Sequence, residues 1–460
     1  MNEREILYFS RYSYTLCHVA DFDPCVLRFC PVDQARGKDK RRLNELFIMF
    51  DTETSKSFPD IKNGESYEEN PNYIVAWSCC ISIYGYPVNT VYGTRPEEIV
   101  PFMEAVHASL RGNRTIIYIH NMAYDWQFIR KFCIEAWGDP VEQLNTKPHY
   151  PVNIDFANGI TFRDSLILAQ RSIERWAKDL NAPHQKAVGK WDYERIRHQG
   201  DDLTAEELEY IECDVLAGVE CLDILRRQLK STYASFPYTN TGIVRGEART
   251  RGKPYKAHRK TLEYYANSYD VYMLLEKIFH GGYTHANRHI VGWTIEGDIE
   301  ARDFSSSYPF CMLAETFPMG RFTRTSVSYT PAGILRDSRS YAFIFRFTAL
   351  RIELKDPDDP FPVLQLCKVD RAVDTVIDNG RITEAGYVSI WLNEVDFATM
   401  QRAYKWEKCT ITDVYSAVKE PLPEWLRDYV YQLYKDKTQL KGGDPVIYAL
   451  RKSMLNSVYG

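Results

Sequence analysis

Acidic side chains occur in the first half of the sequence at spacings that suit chemistry on a phosphodiester. Asp51 and Glu53 stand two residues apart at the end of an apolar run. In a β-strand both carboxylates therefore point to the same face. Asn121 and Asp125, in HNMAYD, follow where another apolar run passes into a helical pattern. Two separate elements thus supply three carboxylates.

A fourth acid lies on a long helical pattern further along the chain. Tyr210 and Asp214 are four residues apart and therefore share one helix face. Four carboxylates suit two divalent cations that flank a phosphodiester, one activating water and the other stabilising the leaving oxygen. The hydroxyl of Tyr210 can donate and accept a hydrogen bond, which suits it to orient the attacking water. The pattern predicts a metal-dependent nuclease.

The ordered set D-x-E, N-x-x-x-D and Y-x-x-x-D resembles the three exonuclease motifs of proofreading DNA polymerases. That resemblance implies an α/β, RNase-H-like 3′–5′ exonuclease domain in which the four acids bind two Mg²⁺ or Mn²⁺ ions. It also implies that Asn121 and Ser165, the latter in FRDSL, contact the single-stranded 3′ end.

The segment DFSSSYP at 303–309 resembles motif A of family B DNA polymerases. By that resemblance Asp303 binds both catalytic metals and the carbonyl of Phe304 binds one of them. Backbone N–H groups in the turn that ends at Ser307 hold the triphosphate, as successive amides do. Tyr308 lies under the sugar and excludes a ribose hydroxyl. The preceding residues 293–302 predict a strand.

The last nine residues, KSMLNSVYG, resemble motif B of the same family. In a helix, Lys452, Asn456 and Tyr459 recur at i, i+4 and i+7 and line one face. Lys452 is suited to hold the leaving phosphates, because the transition state spreads charge over their oxygens. Asn456 and Tyr459 would contact the incoming nucleotide and the templating base.

One segment between the two sets of motifs points to a particular branch of family B. FHGGYTH (279–285) resembles the YxGG-type element between exonuclease and polymerase domains, with Phe279 at the usual Tyr position. The resemblance implies that Gly281 and Gly282 contact DNA.

Two further segments resemble the protein-primed branch, whose members occur in phages and linear plasmids. WLNEVD (391–396) resembles the insertion between motifs A and B. KAVGKWDY (186–193) resembles an element near the exonuclease centre, with Lys186 or Lys190 as its lysine. The branch implies DNA, dNTPs and a terminal protein, whose hydroxyl serves as primer, as partners.

The motifs divide the chain into five predicted segments around an α/β exonuclease and a partial polymerase. They are an N-terminal extension of unknown role (1–45), the 3′–5′ exonuclease domain (46–230), a basic linker and the start of the palm with motif A (231–315), a protein-priming type, β-rich insertion (316–420) and the fingers helices that end in motif B (421–460). Apolar runs predict strands at 46–50, 73–85 and 115–120. Thr204 and Glu207 form a capping-box pattern that opens the helix carrying Asp214.

Bulk properties narrow the setting. Eleven cysteines without a CxxC pair favour a reduced compartment. The sequence contains no run of about 18 apolar residues, so no membrane span is predicted. We therefore expect a cytoplasmic protein, in a bacterial host if a phage encodes it. The net charge of −5 hides a basic cluster at 245–260, which is interpreted as a basic linker or a solvated loop.

Two-metal nucleotidyl transfer needs a second carboxylate opposite Asp303. In family B that acid belongs to motif C, Tyr-x-Asp-Thr-Asp, which the 460 residues do not contain after motif B. We therefore expect the polymerase centre of this chain to be incomplete and unaided primer extension to fail. One alternative is a stand-alone 3′–5′ exonuclease, which would need neither DFSSSYP nor KSMLNSVYG. The other is a non-catalytic DNA-binding remnant, which would tolerate loss of the acids.

Overall fold

The chain folds into two units, one of residues 1–246 with 435–460 and the other of residues 247–434. The computed structural model describes residues 16–34, 42–55, 61–62, 65–66, 72–111, 114–185, 191–193, 195–443 and 445–459. Lys186 and Lys190, the two candidate lysines of KAVGKWDY, lie outside these ranges.

Twelve strands are described in the first unit. They are β1 (Leu16–His18), β2 (Val32–Gln34), β3 (Arg42–Asn44), β4 (Leu46–Ser55), β5 (Ile61–Lys62), β6 (Glu65–Ser66), β7 (Tyr73–Ile83), β8 (Tyr86–Gly93), β9 (Thr115–Ile119), β10 (Glu142–Lys147), β11 (Tyr150–Asp155) and β12 (Ile160–Asp164). Eight of them form one sheet in the order β1-β8-β7-β4-β9-β12-β11-β10. The central strand β4 is antiparallel to β7 and parallel to β9. Its apolar run is buried, as expected of a strand that is covered on both faces.

Six α-helices are described up to residue 252. They are α1 (Ile99–Ser109), α2 (Met122–Trp137), α3 (Ser165–Ala169), α4 (Ile173–Leu180), α5 (Ala205–Gln228) and α6 (Asn240–Gly252). Strands β4, β7 and β9 and the helices α2 and α5 confirm the predicted α/β alternation. All helices in the described part of the chain are too short or too polar to span a bilayer.

The described part of the N-terminal extension belongs to the first unit. Strand β1 pairs in parallel with β8 and adds an edge to the sheet. Leu27 is fully buried in the same core as Ile48 and Phe50 of β4. The unit therefore includes residues on the N-terminal side of the predicted boundary at 45.

The second unit is built around an antiparallel sheet, which confirms a β-rich region after motif A. Its strands are β13 (Thr316–Pro318), β14 (Thr323–Arg324), β15 (Tyr341–Leu354), β16 (Val369–Asp378), β17 (Arg381–Asn393), β18 (Tyr404–Lys405) and β19 (Lys408–Pro421). The main order is β13-β19-β15-β17-β16, while β14 pairs with β19 and β18 with β15. The alternating residues Phe343, Phe345 and Phe347 are fully buried.

The helices of this unit are α7 (Ala257–Lys260), α8 (Tyr269–Ile278), α9 (Ser307–Ala314), α10 (Pro331–Asp337) and α11 (Glu394–Ala403). Helix α12 (Glu424–Gln439) crosses the boundary at residue 434, and α13 (Pro445–Asn456) belongs to the first unit. Helices α12 and α13 correspond to the two predicted fingers helices.

Two expectations about the region before motif A were wrong. Residues 293–302 were predicted as a strand, but they form turns and irregular structure and pair with no described strand. Trp293, Ile295 and Ile299 are exposed there, and a strand without a pairing partner is not stable. The basic segment is helical from residue 240 to 252 and again from 257 to 265, so the solvated-loop interpretation was wrong, while its role as a linker stays a prediction.

The capping box at the start of α5 is confirmed and extended by a buried ion pair. The N–H of Glu207 donates to Thr204 Oγ1 at 3.3 Å, and the N–H of Thr204 donates to Glu207 Oε2 at 2.9 Å. Arg197 Nη2 lies 2.6 Å from Glu207 Oε1, and both side chains are buried. Burial opposes the charged form of Glu207, but the hydrogen bonds from Thr204 and Arg197 outweigh it and lower its pKa.

We predict that Arg197→Met destabilises the first unit by about 3 kcal/mol or more, because it leaves the Glu207 carboxylate buried without its partner. Arg195→Met is the matched control. Arg195 lies 3.3 Å from the same carboxylate oxygen, but its side chain is half exposed, so its loss should cost less than about 1 kcal/mol. Urea unfolding followed by tryptophan fluorescence measures both. Equal effects of the two substitutions would contradict the prediction.

Candidate active sites

Three of the four predicted exonuclease acids come together at the first unit's sheet. Asp51 and Glu53 lie on β4 and Asp214 lies on α5, and one carboxylate oxygen of each is within 4.8 Å of the others. Glu53 and Asp214 are buried, while Asp51 is partly exposed. The alternation of β4 therefore places both of its acids on the face that α5 covers.

A glycine sets the distance between α5 and β4. A Cβ at Gly218 would lie 2.6 Å from Cγ of Met49, so only glycine allows the helix this close to the strand. Gly218 is one turn beyond Asp214, and Met49 is two residues before Asp51. Ser78 of the neighbouring strand β7 pairs with Asp51 and donates to the carbonyl of Ile211 at 2.9 Å, which ties the same helix to the sheet.

Asp125, the fourth acid, is not a member of that group. Its Oδ1 accepts hydrogen bonds from the N–H of Thr52 at 3.2 Å and from Thr52 Oγ1 at 2.5 Å. Thr52 stands between Asp51 and Glu53 in the sequence. Asp125 therefore fixes β4 at the residue between the two predicted metal ligands. Burial raises the pKa of Asp125 to about 7, against the effect of the Thr52 hydrogen bonds. Its role as a metal ligand stays a prediction.

Asn121 and Ser165, the predicted contacts to single-stranded DNA, lie at the ends of the neighbouring strands β9 and β12. Asn121 adopts a left-handed conformation with φ of 70°, and its N–H donates to Asp164 Oδ1 at 3.1 Å. Ser165 is fully buried and its hydroxyl lies 3.0 Å from His120 Nδ1. In this structure Ser165 therefore supports its neighbours, and its contact with DNA stays a prediction.

Tyr210 has a partner that the sequence interpretation did not single out. Its hydroxyl oxygen lies 3.1 Å from that of Tyr193, whose side chain is half exposed. Trp191 packs beside Tyr210, with ring centroids 6.0 Å apart. Burial, followed by the nearby Asp214 carboxylate, raises the pKa of Tyr210 well above its usual value. The quoted segment KAVGKWDY contains Tyr193, but only the fold shows which phenol it meets.

Motif A begins α9 in the second unit. Asp303 and Phe304 are exposed in an irregular segment, and the turn through Ser306 leads into the helix at Ser307. Ser306 has a φ of 56°, a left-handed conformation that is uncommon for residues other than glycine. The turn therefore presents the first amides of α9, in line with the predicted role of Ser307 in holding phosphate.

The glycine pair of FHGGYTH lies beside motif A. A Cβ at Gly282 would lie 3.3 Å from the hydroxyl of Tyr308, and one at Gly281 would meet no atom within 4 Å. Histidines in this segment contact two elements of the second unit: His280 Nε2 lies 3.1 Å from Asp396 on α11, and His285 Nε2 lies 3.1 Å from Asp378 at the end of β16. The structure thus brings together the predicted DNA contact and the predicted sugar contact.

Motif B lies in the first unit, on α13. Lys452 and Asn456 are exposed on this helix, while Met454 and Leu455 are buried. Tyr459 was expected on the same helical face, but α13 ends at Asn456, so that expectation was wrong for Tyr459. The N–H of Ser457 donates to carbonyls within the last turn, which closes the helix before Tyr459.

The family model for DNA polymerase type B, organellar and viral, matches residues 187–460. The chain belongs to this family and is a DNA-directed DNA polymerase, an enzyme class that depends on divalent metal. Comparison with functionally characterised sequences gives no match.

Solved structures of Phi29 DNA polymerase share the fold. The complex with single-stranded DNA has a TM-score of 0.65 at 17% identity, covering 90% of this chain and 67% of that chain. The binary complex with primer-template DNA gives 0.65 at 16% identity, with the same coverage of both chains. The ternary complex with primer-template DNA and incoming nucleotides gives 0.61 at 18% identity, covering 91% and 68%. They confirm the mixed α/β fold, which covers about two thirds of the Phi29 DNA polymerase chain.

The acids of the first unit fit a divalent cation by their chemistry. Mg²⁺ and Mn²⁺ prefer carboxylate oxygens, and three such oxygens within 4.8 Å repel one another unless a cation lies among them. Within the described ranges, Asp51, Glu53 and Asp214 are the only group of three potential ligands at this spacing. Asp303 belongs to no such group.

We predict that Asp214→Asn weakens Mn²⁺ binding by at least about tenfold, because a neutral amide replaces a charged ligand. Isothermal titration calorimetry measures the change. Glu206→Gln, which removes an exposed acid from the first turn of α5, should leave the affinity unchanged. Wild-type affinity in Asp214→Asn would show that the ion binds elsewhere.

Proposed function

We propose that the first unit of this DNA polymerase removes nucleotides from the 3′ ends of single-stranded DNA, with two Mg²⁺ or Mn²⁺ ions. The convergence of Asp51, Glu53 and Asp214 on one face of an RNase-H-like sheet is the observation that carries this proposal. In this proposal Asp125 is the fourth acid; its hydrogen bonds with Thr52 hold it beside β4, but it lies outside the group of three.

The ions would activate the attacking water and neutralise charge on the leaving oxygen. The protein contributes the placement of the scissile phosphate and of protons around it. Tyr210 keeps its proton at neutral pH, as phenols do, and burial raises its pKa further, so its hydroxyl can donate to a water or phosphate oxygen. Tyr193 orients that hydroxyl, and its exposed ring is available to the terminal nucleotide.

Polymerisation, in our proposal, uses Asp303, the carbonyl of Phe304, Ser307 and Tyr308 from the second unit. Lys452, Asn456 and Tyr459 contribute the motif B contacts. The substrates are dNTPs and primer-template DNA, with Gly281 and Gly282 as further DNA contacts. The proximity of Gly282 to Tyr308 supports a common DNA path along these residues.

We also propose that residues 316–420 are the insertion of the protein-primed branch and accept a terminal protein as primer. The WLNEVD segment, on whose sequence this proposal rests, forms the junction between β17 and α11 and is fixed by hydrogen bonds and an ion pair. Asn393 Oδ1 accepts from the N–H of Asp396 at 2.8 Å, and the buried Glu394 pairs with Lys419 at 2.5 Å. Replication of this kind occurs in the cytoplasm of a bacterial host, where we place the chain.

The exonuclease proposal predicts that Asp51→Ala/Asp214→Ala lowers the degradation of 5′-labelled single-stranded DNA by at least about a thousandfold, because the metal site is lost. The assay contains Mg²⁺ or Mn²⁺ and resolves products on a gel. A phosphorothioate at the last 3′ linkage should also slow the wild-type reaction.

Asp139→Ala/Glu142→Ala, which removes two exposed acids from the same unit, is the matched control and should retain full activity. Unchanged activity in the Asp51/Asp214 double variant, or no 3′-end degradation by the wild type, would sink the proposal.

We further predict that Tyr193→Phe lowers the kcat of this nuclease by about tenfold, less than the roughly hundredfold that a proton-transferring group itself contributes, because Tyr193 acts through Tyr210. Combined with Tyr210→Phe, it should add little, because both hydroxyls act through one hydrogen bond. Tyr150→Phe, on the exposed part of β11, serves as control. Fully additive losses would show that Tyr193 acts independently of Tyr210.

A further inference from the structure

A basic, tyrosine-rich segment of the second unit has no role in either proposed active site. Residues 249–272, called here the basic-tyrosine segment, contain six Lys or Arg and two acidic residues in a chain of net charge −5. Four of its tyrosines are about half exposed or more: Tyr255, Tyr264, Tyr269 and Tyr272. Exposed rings interleaved with cations are unusual on a merely solvated face.

The start of the segment is fixed to α12. Glu247 accepts a hydrogen bond from the hydroxyl of Tyr429 at 3.0 Å, and the guanidinium of Arg251 lies 4.8 Å from the centre of the Tyr429 ring. Gly252 packs against Trp425, since a Cβ there would lie 3.3 Å from its ring. The cations that follow therefore extend from an anchored backbone.

The middle of the segment is fixed to the region before β14. The N–H of Phe322 donates to Asn267 Oδ1 at 2.9 Å, and Arg321 Nη2 donates to the carbonyl of Glu263 at 2.8 Å. Anchors on both sides hold residues 253–264 in place, so ligand binding there would not require ordering a loose loop.

Cations and rings of the anchored part are exposed close together along the chain. Lys256 precedes α7, and α7 continues into a π-helical turn, Thr261–Tyr265. Lys256, Arg259, Lys260 and Tyr264 are exposed, and Arg259 Nε lies 2.6 Å from Glu263 Oε1. Ala257 is partly buried and approaches Gly252.

We propose that the basic-tyrosine segment is a second binding surface for single-stranded DNA, separate from the exonuclease acids. Lys256, Arg259 and Lys260 contact successive phosphates, and bases stack on Tyr255 and Tyr264. Single-strand binding without sequence preference combines these two elements, a basic track and stacking rings. An acidic protein would use the cations alone, so the exposed rings favour nucleic acid.

The charge half of the proposal is tested with a fluorescein-labelled 20-nucleotide oligo(dT) in EDTA, where no cleavage occurs. Anisotropy titrations at several salt concentrations give the affinity and its salt slope. Lys256→Ala/Arg259→Ala/Lys260→Ala should weaken binding by about tenfold or more and reduce the log–log slope by about 2, since each single-strand phosphate contact contributes about 0.7. Because metal is absent, the outcome is independent of exonuclease activity.

The matched control removes three exposed lysines from the β-rich sheet of the same unit, as Lys355→Ala/Lys405→Ala/Lys408→Ala. It should leave affinity and slope near wild type. Equal losses in the two triple variants would reduce the effect to net charge and overturn the proposal.

The stacking half is tested with Tyr255→Ala/Tyr264→Ala, which should weaken binding by about tenfold with an unchanged salt slope. Photocrosslinking of a bromodeoxyuridine oligonucleotide should map to peptides that contain Tyr255 or Tyr264. Crosslinks confined to the first unit would overturn the surface. A second result would also overturn the proposal: substitutions in this surface that abolish binding to polyglutamate but not to the oligonucleotide. The partner would then be an acidic protein.

Discussion

At Gly218, α5 lies so close to Met49 of β4 that a methyl group would not fit. The grouping of the three acids depends on this approach, because Asp214 comes from the helix while Asp51 and Glu53 come from the strand. Metal–ligand distances tolerate only about 0.2 Å. A displacement of α5 by a few tenths of an ångström would therefore separate the carboxylates more than one ion can bridge.

The acids are gathered at an electrostatic cost that surrounding hydrogen bonds partly offset. Asp125 is buried but accepts two hydrogen bonds from Thr52, and Asp164 is buried but accepts backbone N–H groups from Asn121 and Leu166. Burial nevertheless raises the pKa of Asp164 to about 6. The neighbouring group of Asp51, Glu53 and Asp214 favours a bound cation, since a charge of opposite sign relieves the repulsion among its three carboxylates.

The features that could be predicted from sequence were local or periodic. Alternation along β4 places Asp51 and Glu53 on one face, and the capping box marks the start of α5. The contact between Asp125 and Thr52, 73 residues apart, is set by the fold and has no local signature. The strand expected at 293–302 failed for the same reason, because alternation alone does not supply a pairing partner. Tyr459 does not lie on the predicted face of α13, because the helix ends at Asn456. Where a helix ends depends on the hydrogen bonds of its last turn, which the periodicity of the sequence does not specify.

The first unit is interrupted in the chain, and this has a consequence for synthesis. Asn240, at the start of α6, donates to Ser457 Oγ at 3.0 Å across 217 positions. The eight-stranded sheet can form as soon as its own strands emerge, but α13 becomes available only after residues 247–434 have been made. Closing so long a loop is entropically unfavourable until the intervening unit has folded and shortened it. We therefore expect the helix that bears motif B to dock last during folding.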